Sequence, residues 1–143
     1  MSREPDNDEG LEALVRRHLR AGFWGLTAYI ALGALLEIFH AFKVASYLDV
    51  GRETTRLLLR LAHAHGTLLS LVNVVFALTA RARPEAVSRF ASAALLSALV
   101  LLPAGFLLGG IWAHDGDPGI GIVLVPAGAL AAALGAGLVA AKS

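Results

Sequence analysis

The sequence predicts an all-α integral membrane protein, an up-down four-helix bundle led by a short N-terminal interfacial helix. Three observations predict it. The chain is 57% hydrophobic and only 16% charged, with a mean hydropathy of +0.68, whereas soluble domains carry about a quarter of their residues as charges. The charges cluster, leaving none in residues 91–113 and none in residues 119–141. Two further segments are nearly as apolar: residues 21–42 hold only Glu37 and His40 as strongly polar groups, and residues 61–80 only His63, His65 and Asn73. A helix needs about 20 apolar residues to cross the hydrocarbon core. Each of the four segments is long enough.

The elements follow in order. The opening "MSREPDNDEG" is acidic and too polar to fold alone. From Leu11 the pattern changes, with Leu11, Leu14, Val15 and Leu19 at helical spacing and Glu12, Arg16, Arg17 and Arg20 elsewhere on the wheel. That reads as an interfacial helix leading into the membrane. A signal peptide is not expected, since no short apolar core with a small-residue cleavage site follows the charged leader. Residues 1–20 thus form a cytoplasmic tail and amphipathic lead-in, and residues 21–143 a transmembrane domain. Its spans are expected at residues 21–47, 55–80, 86–113 and 118–141.

Arginine and lysine on short loops set orientation. Arg3, Arg16, Arg17, Arg20, Arg81, Arg83, Arg89 and Lys142 fall on one side, against Lys43, Arg52, Arg56 and Arg60 on the other. Both termini should face the cytoplasm of a bacterial inner membrane. Phe23 and Trp24 suit the inner interface, Tyr47 and Trp112 the outer one. Arg83-Pro84-Glu85 marks an inner turn, and Asp117-Pro118 reads as an N-cap with proline opening the fourth helix. Pro103 and Pro126 each invite a kink that would open a cavity in the outer third. Gly128 with Ala132, and Ala133 with Gly137, repeat small residues at a spacing that lets helices approach closely.

This topology gathers polar groups at the outer end. Glu37 and His40 come near the end of the first span, His63 and His65 near the start of the second, and His114, Asp115 and Asp117 in the last turn. By helical rise, Glu37, His40, His63 and His65 should lie roughly 5–15 Å beneath the outer surface. His18 belongs to the cytoplasmic lead-in. His63 and His65 are about 200° apart on the wheel, so one helix cannot aim both at one point. His63 joins a stripe of Arg56, Arg60, Thr67 and Ser70 with Asn73 nearby; His65 shares another face with Ala62, Leu69 and Val72.

Several chemistries drop out. The chain has no cysteine, which removes disulfides, thiolate metal sites and c-type haem attachment. A net charge of +1 gives no case for nucleic acid. Glu37 and His40 have the Glu-x-x-His spacing of di-metal bundles, but no other span supplies the further carboxylates needed. No nucleophile-base set can be assembled, and "PGIGIVLVPAG" lacks the lysine of a phosphate loop. What remains is ligation: neutral imidazole is a haem-iron ligand, with Gly66 giving room for the macrocycle beside His65. Glu37, as an ionisable group inside a span, is a functional candidate that could pair with Arg60 or His63, or relay protons. A bare transition-metal ion would draw on His40, His63, His114 and Asp115.

The stretches "YIALGALLEIFHA" and "LRLAHAHGTLLSLVNVVF", within residues 29–77, resemble small membrane proteins described as haem–copper oxidase subunit I-like. The oxidase subunit carries a His-Gly pair whose histidine ligates the low-spin haem, and His65-Gly66 would match it. The second His-x-His helix and the copper-binding histidines have no counterpart here. The resemblance therefore implies at most one b-type haem, with His65 on one side and His40 or His114 on the other. The expected function is electron transfer, sensing or support of a respiratory complex, without catalysis by this chain. The alternative is a non-catalytic membrane subunit or transporter-like protein whose His and Glu residues form a structural or proton-relay network. Its partners would be the lipid bilayer and either another membrane protein or further copies of itself.

Overall fold

The structure, a computed structural model, describes residues 5–142, with side chains from residue 9 onward. The start of the acidic tail, with Arg3, lies outside the described residues. Five α-helices follow one another: α1 Pro5–Ala41, α2 Ala45–Leu48, α3 Glu53–Ala82, α4 Arg89–Ile111 and α5 Leu124–Ala140. Short 3₁₀ turns at Val50–Arg52, Pro84–Ala86 and Ile120–Val123 punctuate them. Four stretches, Glu9–Ala41, Val50–Ala82, Arg89–Ile111 and Ile120–Ala140, are long and apolar enough to cross a membrane.

The first difference from expectation is at the start. α1 is one continuous helix of 37 residues, about 55 Å long at the usual rise, and residues 11–20, expected as an interfacial lead-in, are part of it. Leu14 and Val15 are buried in a cluster with Phe76, Ala77, Ala80, Ala91 and Leu95. The apolar stripe of the lead-in therefore faces protein, not the membrane surface. α1 stops where Lys43 takes a left-handed φ of 50°. There Val44 N–H bonds back to Phe39 O at 3.0 Å and Lys43 N–H to His40 O at 3.1 Å, a Schellman closure.

Local chemistry sets the other ends. Pro84 ends α3, because the residue before a proline is pushed out of the helical region, and Arg83 sits at φ −141° and ψ 76°. Ser88 caps α4, its hydroxyl accepting from Ala91 N–H at 3.2 Å. The α4–α5 connection departs from expectation. Asp117 does not cap a helix; its backbone exchanges bonds of 2.9 and 3.0 Å with His114. Asp115 and Gly116, at φ 49° and 87°, fill the turn as in type I′ hairpins. Helix resumes only at Ile120, so Pro126 falls in the first turn of α5, where proline is tolerated because the N–H it lacks is among those a helix start leaves unpaired. Pro103 is buried inside α4.

Packing runs in chain order: α1 on α3, α3 on α4, and α4 on α5. Glycines along α1 show the register with α3, since Gly22 lies against Val74, Gly25 against Ser70 and Gly33 against the His63 ring. Numbers rise on one helix as they fall on the other, so the two run in opposite directions. On α5, Gly128 lies against the Leu102 backbone and Gly135 against Leu95. The Ala133–Gly137 pair instead faces outward, with open space at Gly137. Among the described residues α1 and α5 form no packed pair. α1 also touches α4, and residues of all four long helices pack on each of two core clusters, one around Phe76 and Leu95 and the other around Leu69 and Leu99. Half of the most apolar stretch of α4 is buried, against 11% in α5 and 17% in α1.

Candidate functional site

The outer groups come first. His63 turns toward α1: its Nδ1–H donates to Tyr29 O at 2.7 Å, and the ring lies against Gly33. His65 turns toward α4, its ring 4.9 Å from that of Phe106, while Nδ1–H donates to Leu61 O of its own helix at 2.9 Å. These are different faces of α3, as the 200° separation requires. His40 and Glu37 lie exposed on α1. Glu37 makes no ion pair with Arg60 or His63 among the described residues. His114 is exposed in the hairpin, paired only with its neighbour Asp115 at 3.2 Å. Tyr47, expected at the interface, is buried with its ring 5.7 Å from Phe39.

The expected convergence is therefore absent. Among the described residues no group of three or more His, Asp or Glu side chains is placed to hold a metal ion, so His40, His63, His114 and Asp115 do not form a centre. Each histidine faces different surroundings, and the space that Gly66 leaves is filled by the Tyr29 ring. Gly66 makes room for a tyrosine of α1, not for a macrocycle.

The buried polar cluster stands at the other end, around a residue that sequence reading set aside. His18 is completely buried, as are Asn73 and Ser70, and Ser92 is 3% exposed. His18 Nδ1 is 2.7 Å from Asn73 Oδ1 and its Nε2 is 2.8 Å from Ser92 Oγ. The Asn73 amide nitrogen donates to Leu69 O at 2.8 Å and Leu95 O at 3.4 Å, which leaves its oxygen as an acceptor. His18 must then carry its proton on Nδ1, and Nε2 of the neutral ring accepts from the Ser92 hydroxyl. The ring also lies 4.5 Å from Phe76, tilted by 49°. One imidazole thus joins α1, α3 and α4 with both nitrogens bonded.

A signal for this was present. His18 is three residues past Val15, four past Leu14 and seven past Leu11, so it sits in the apolar stripe and not among the arginines. Asn73 and Ser70 continue the stripe on α3 that meets α1. Ser70 Oγ bonds Gly66 O at 2.7 Å within its own helix.

Comparison with known protein families, curated proteins and solved structures finds no match to this chain. The functional reading rests on the sequence and this geometry.

Proposed function

We propose that this chain is a non-catalytic four-span subunit of a bacterial cytoplasmic membrane. In this reading both termini face inward, the spans alternate up and down, and a structural polar network at the inner end holds the fold. The observation that carries it is the His18–Asn73–Ser92 cluster. It is the site where polar groups lie fully inside the apolar interior, and each uses its hydrogen bonds to join helices. Unpaired polar groups in such surroundings cost several kcal/mol, so a histidine bonded at both nitrogens serves cohesion and is not free to ligate.

The orientation draws support from the same end. Arg17 and Arg20 near His18, Arg81 and Arg83 at the α3–α4 turn, and Arg89 at the start of α4 share one level. That agrees with the positive-inside rule. The flanking helices α1 and α5 offer exposed apolar faces, including Trp24, Ile30, Leu130 and Leu134, to lipid or to a partner helix.

Two measurements test the proposal. The chain has no cysteine, so Glu85→Cys and Asp115→Cys give clean topology probes. A membrane-impermeant maleimide should label position 115 in intact cells or spheroplasts and position 85 only after lysis; the reverse pattern overturns the orientation. Protein purified after expression with ample haem should show no Soret band. A Soret band lost in His65→Ala would replace the structural reading with a haem-binding one.

A further inference from the structure

The outer end carries four basic residues where the positive-inside rule favours few, and the structural network does not account for them. Two of them line one cavity. It has a volume of about 210 Å³ and is walled by Phe39, Val44 and Leu59 on the apolar side and by Thr55, Arg52 and Arg56 on the polar side. No carboxylate lines it. Arg56 is half-buried and held in place, its Nη1 donating to Tyr47 O at 2.9 Å and Asp49 O at 2.6 Å. Both partners are backbone carbonyls, so the guanidinium keeps its charge uncompensated and its remaining donors unused among the described residues.

The acids nearby are already engaged. Asp49 Oδ1 accepts from Gly51 N–H at 3.0 Å, and Asp115 pairs with His114 at 3.2 Å. The Arg52 side chain makes no ion pair among the described residues. A fixed guanidinium with free N–H groups, a second guanidinium and a hydroxyl beside it favour a tetrahedral oxyanion, since charge-assisted bonds to phosphate are the strong ones. The apolar walls favour an oxyanion carried on a hydrocarbon body.

We infer that this cavity holds the phosphodiester of an anionic phospholipid from the outer leaflet, bound by Arg56 and Arg52 with the start of its acyl chains against Phe39, Val44 and Leu59. The inference rests on the membrane-spanning reading, because the cavity lies where α1 ends and α3 begins, at the level of the headgroups. It explains why arginines sit on the side that topology alone would keep poor in them.

The test uses the full chain in mild detergent, with phosphatidylglycerol as the probe. Native mass spectrometry should show one retained phosphatidylglycerol, bound about tenfold more weakly in Arg52→Gln and Arg56→Gln. Arg60→Gln, one turn along α3 and outside the cavity lining, should bind as the unaltered chain does. The Arg52 side chain bonds no carbonyl among the described residues, so its variant remains informative if Arg56→Gln fails to fold. Equal loss in Arg60→Gln, or undiminished binding in Arg52→Gln, overturns the site. Inorganic phosphate that displaces the lipid and raises the melting temperature equally would make free phosphate the ligand and overturn the lipid assignment. Alkaline extraction separates the levels: a chain that stays in the membrane without retaining lipid sinks this inference alone, and one released from the membrane sinks the reading beneath it.

Discussion

The two ends of the molecule use histidine in opposite ways. At the end proposed as inner a single imidazole, His18, is fully buried and bonded to side chains on two other helices. At the outer end four imidazoles are half-buried or exposed, and His63 and His65 each bond one backbone carbonyl. Number and depth of polar residues therefore say little about where a polar site forms. Complete pairing across helices marks the end around His18; the other histidines stay half-buried or exposed.

The largest effect should come from breaking the inner end. His18→Leu leaves Asn73 Oδ1 and Ser92 Oγ unpaired in the interior and should cost about 3 kcal/mol, read as a lower unfolding midpoint in detergent. A loss below about 0.5 kcal/mol would erase the contrast between the two ends. Gly66→Leu comes next. It drives a side chain into the Tyr29 ring and should cost about 2 kcal/mol through overpacking; pairing it with Tyr29→Ala should recover part of that loss. A double-mutant cycle on His18 and Asn73 should then give a coupling near 1 kcal/mol, the scale of hydrogen bonds between membrane helices. Additive single effects would mean that the 2.7 Å contact contributes nothing specific.

The smallest effects belong to the outer groups. His40→Ala and His114→Ala should each stay within about 0.5 kcal/mol of the unaltered chain, as exposed substitutions do. A larger loss in either would show that the outer end has a partner of its own.

The all-helical make-up with four long apolar helices was legible because hydropathy needs no partner: long uncharged runs forecast helices whatever they pack against. The start of α1 was less so, although its signal is continuous. Leu11, Leu14, Val15, His18, Gly22, Gly25, Tyr29, Gly33 and Leu36 keep helical spacing without a break, and these positions meet α3 or the core. Treating Arg16, Arg17 and Arg20 as a boundary hid that phase. The α4–α5 turn misled for a local reason: Asp-Pro has the composition of a helix start, but a hairpin at Asp115 and Gly116 closes first. The role of Gly66 was not legible at all. A glycine beside histidine implies space, and only tertiary packing shows that Tyr29 occupies it.

α1 is fastened unevenly along its length. Near its inner end it is bonded to two neighbours through His18; farther out it leans on α3 alone through Tyr29, Gly33 and Leu36. Thermal opening of this helix should therefore begin at its Ala41 end and run toward His18 like a zip halted at a pin. Amide exchange would record this as slow protection around His18 grading to fast exchange toward Ala41.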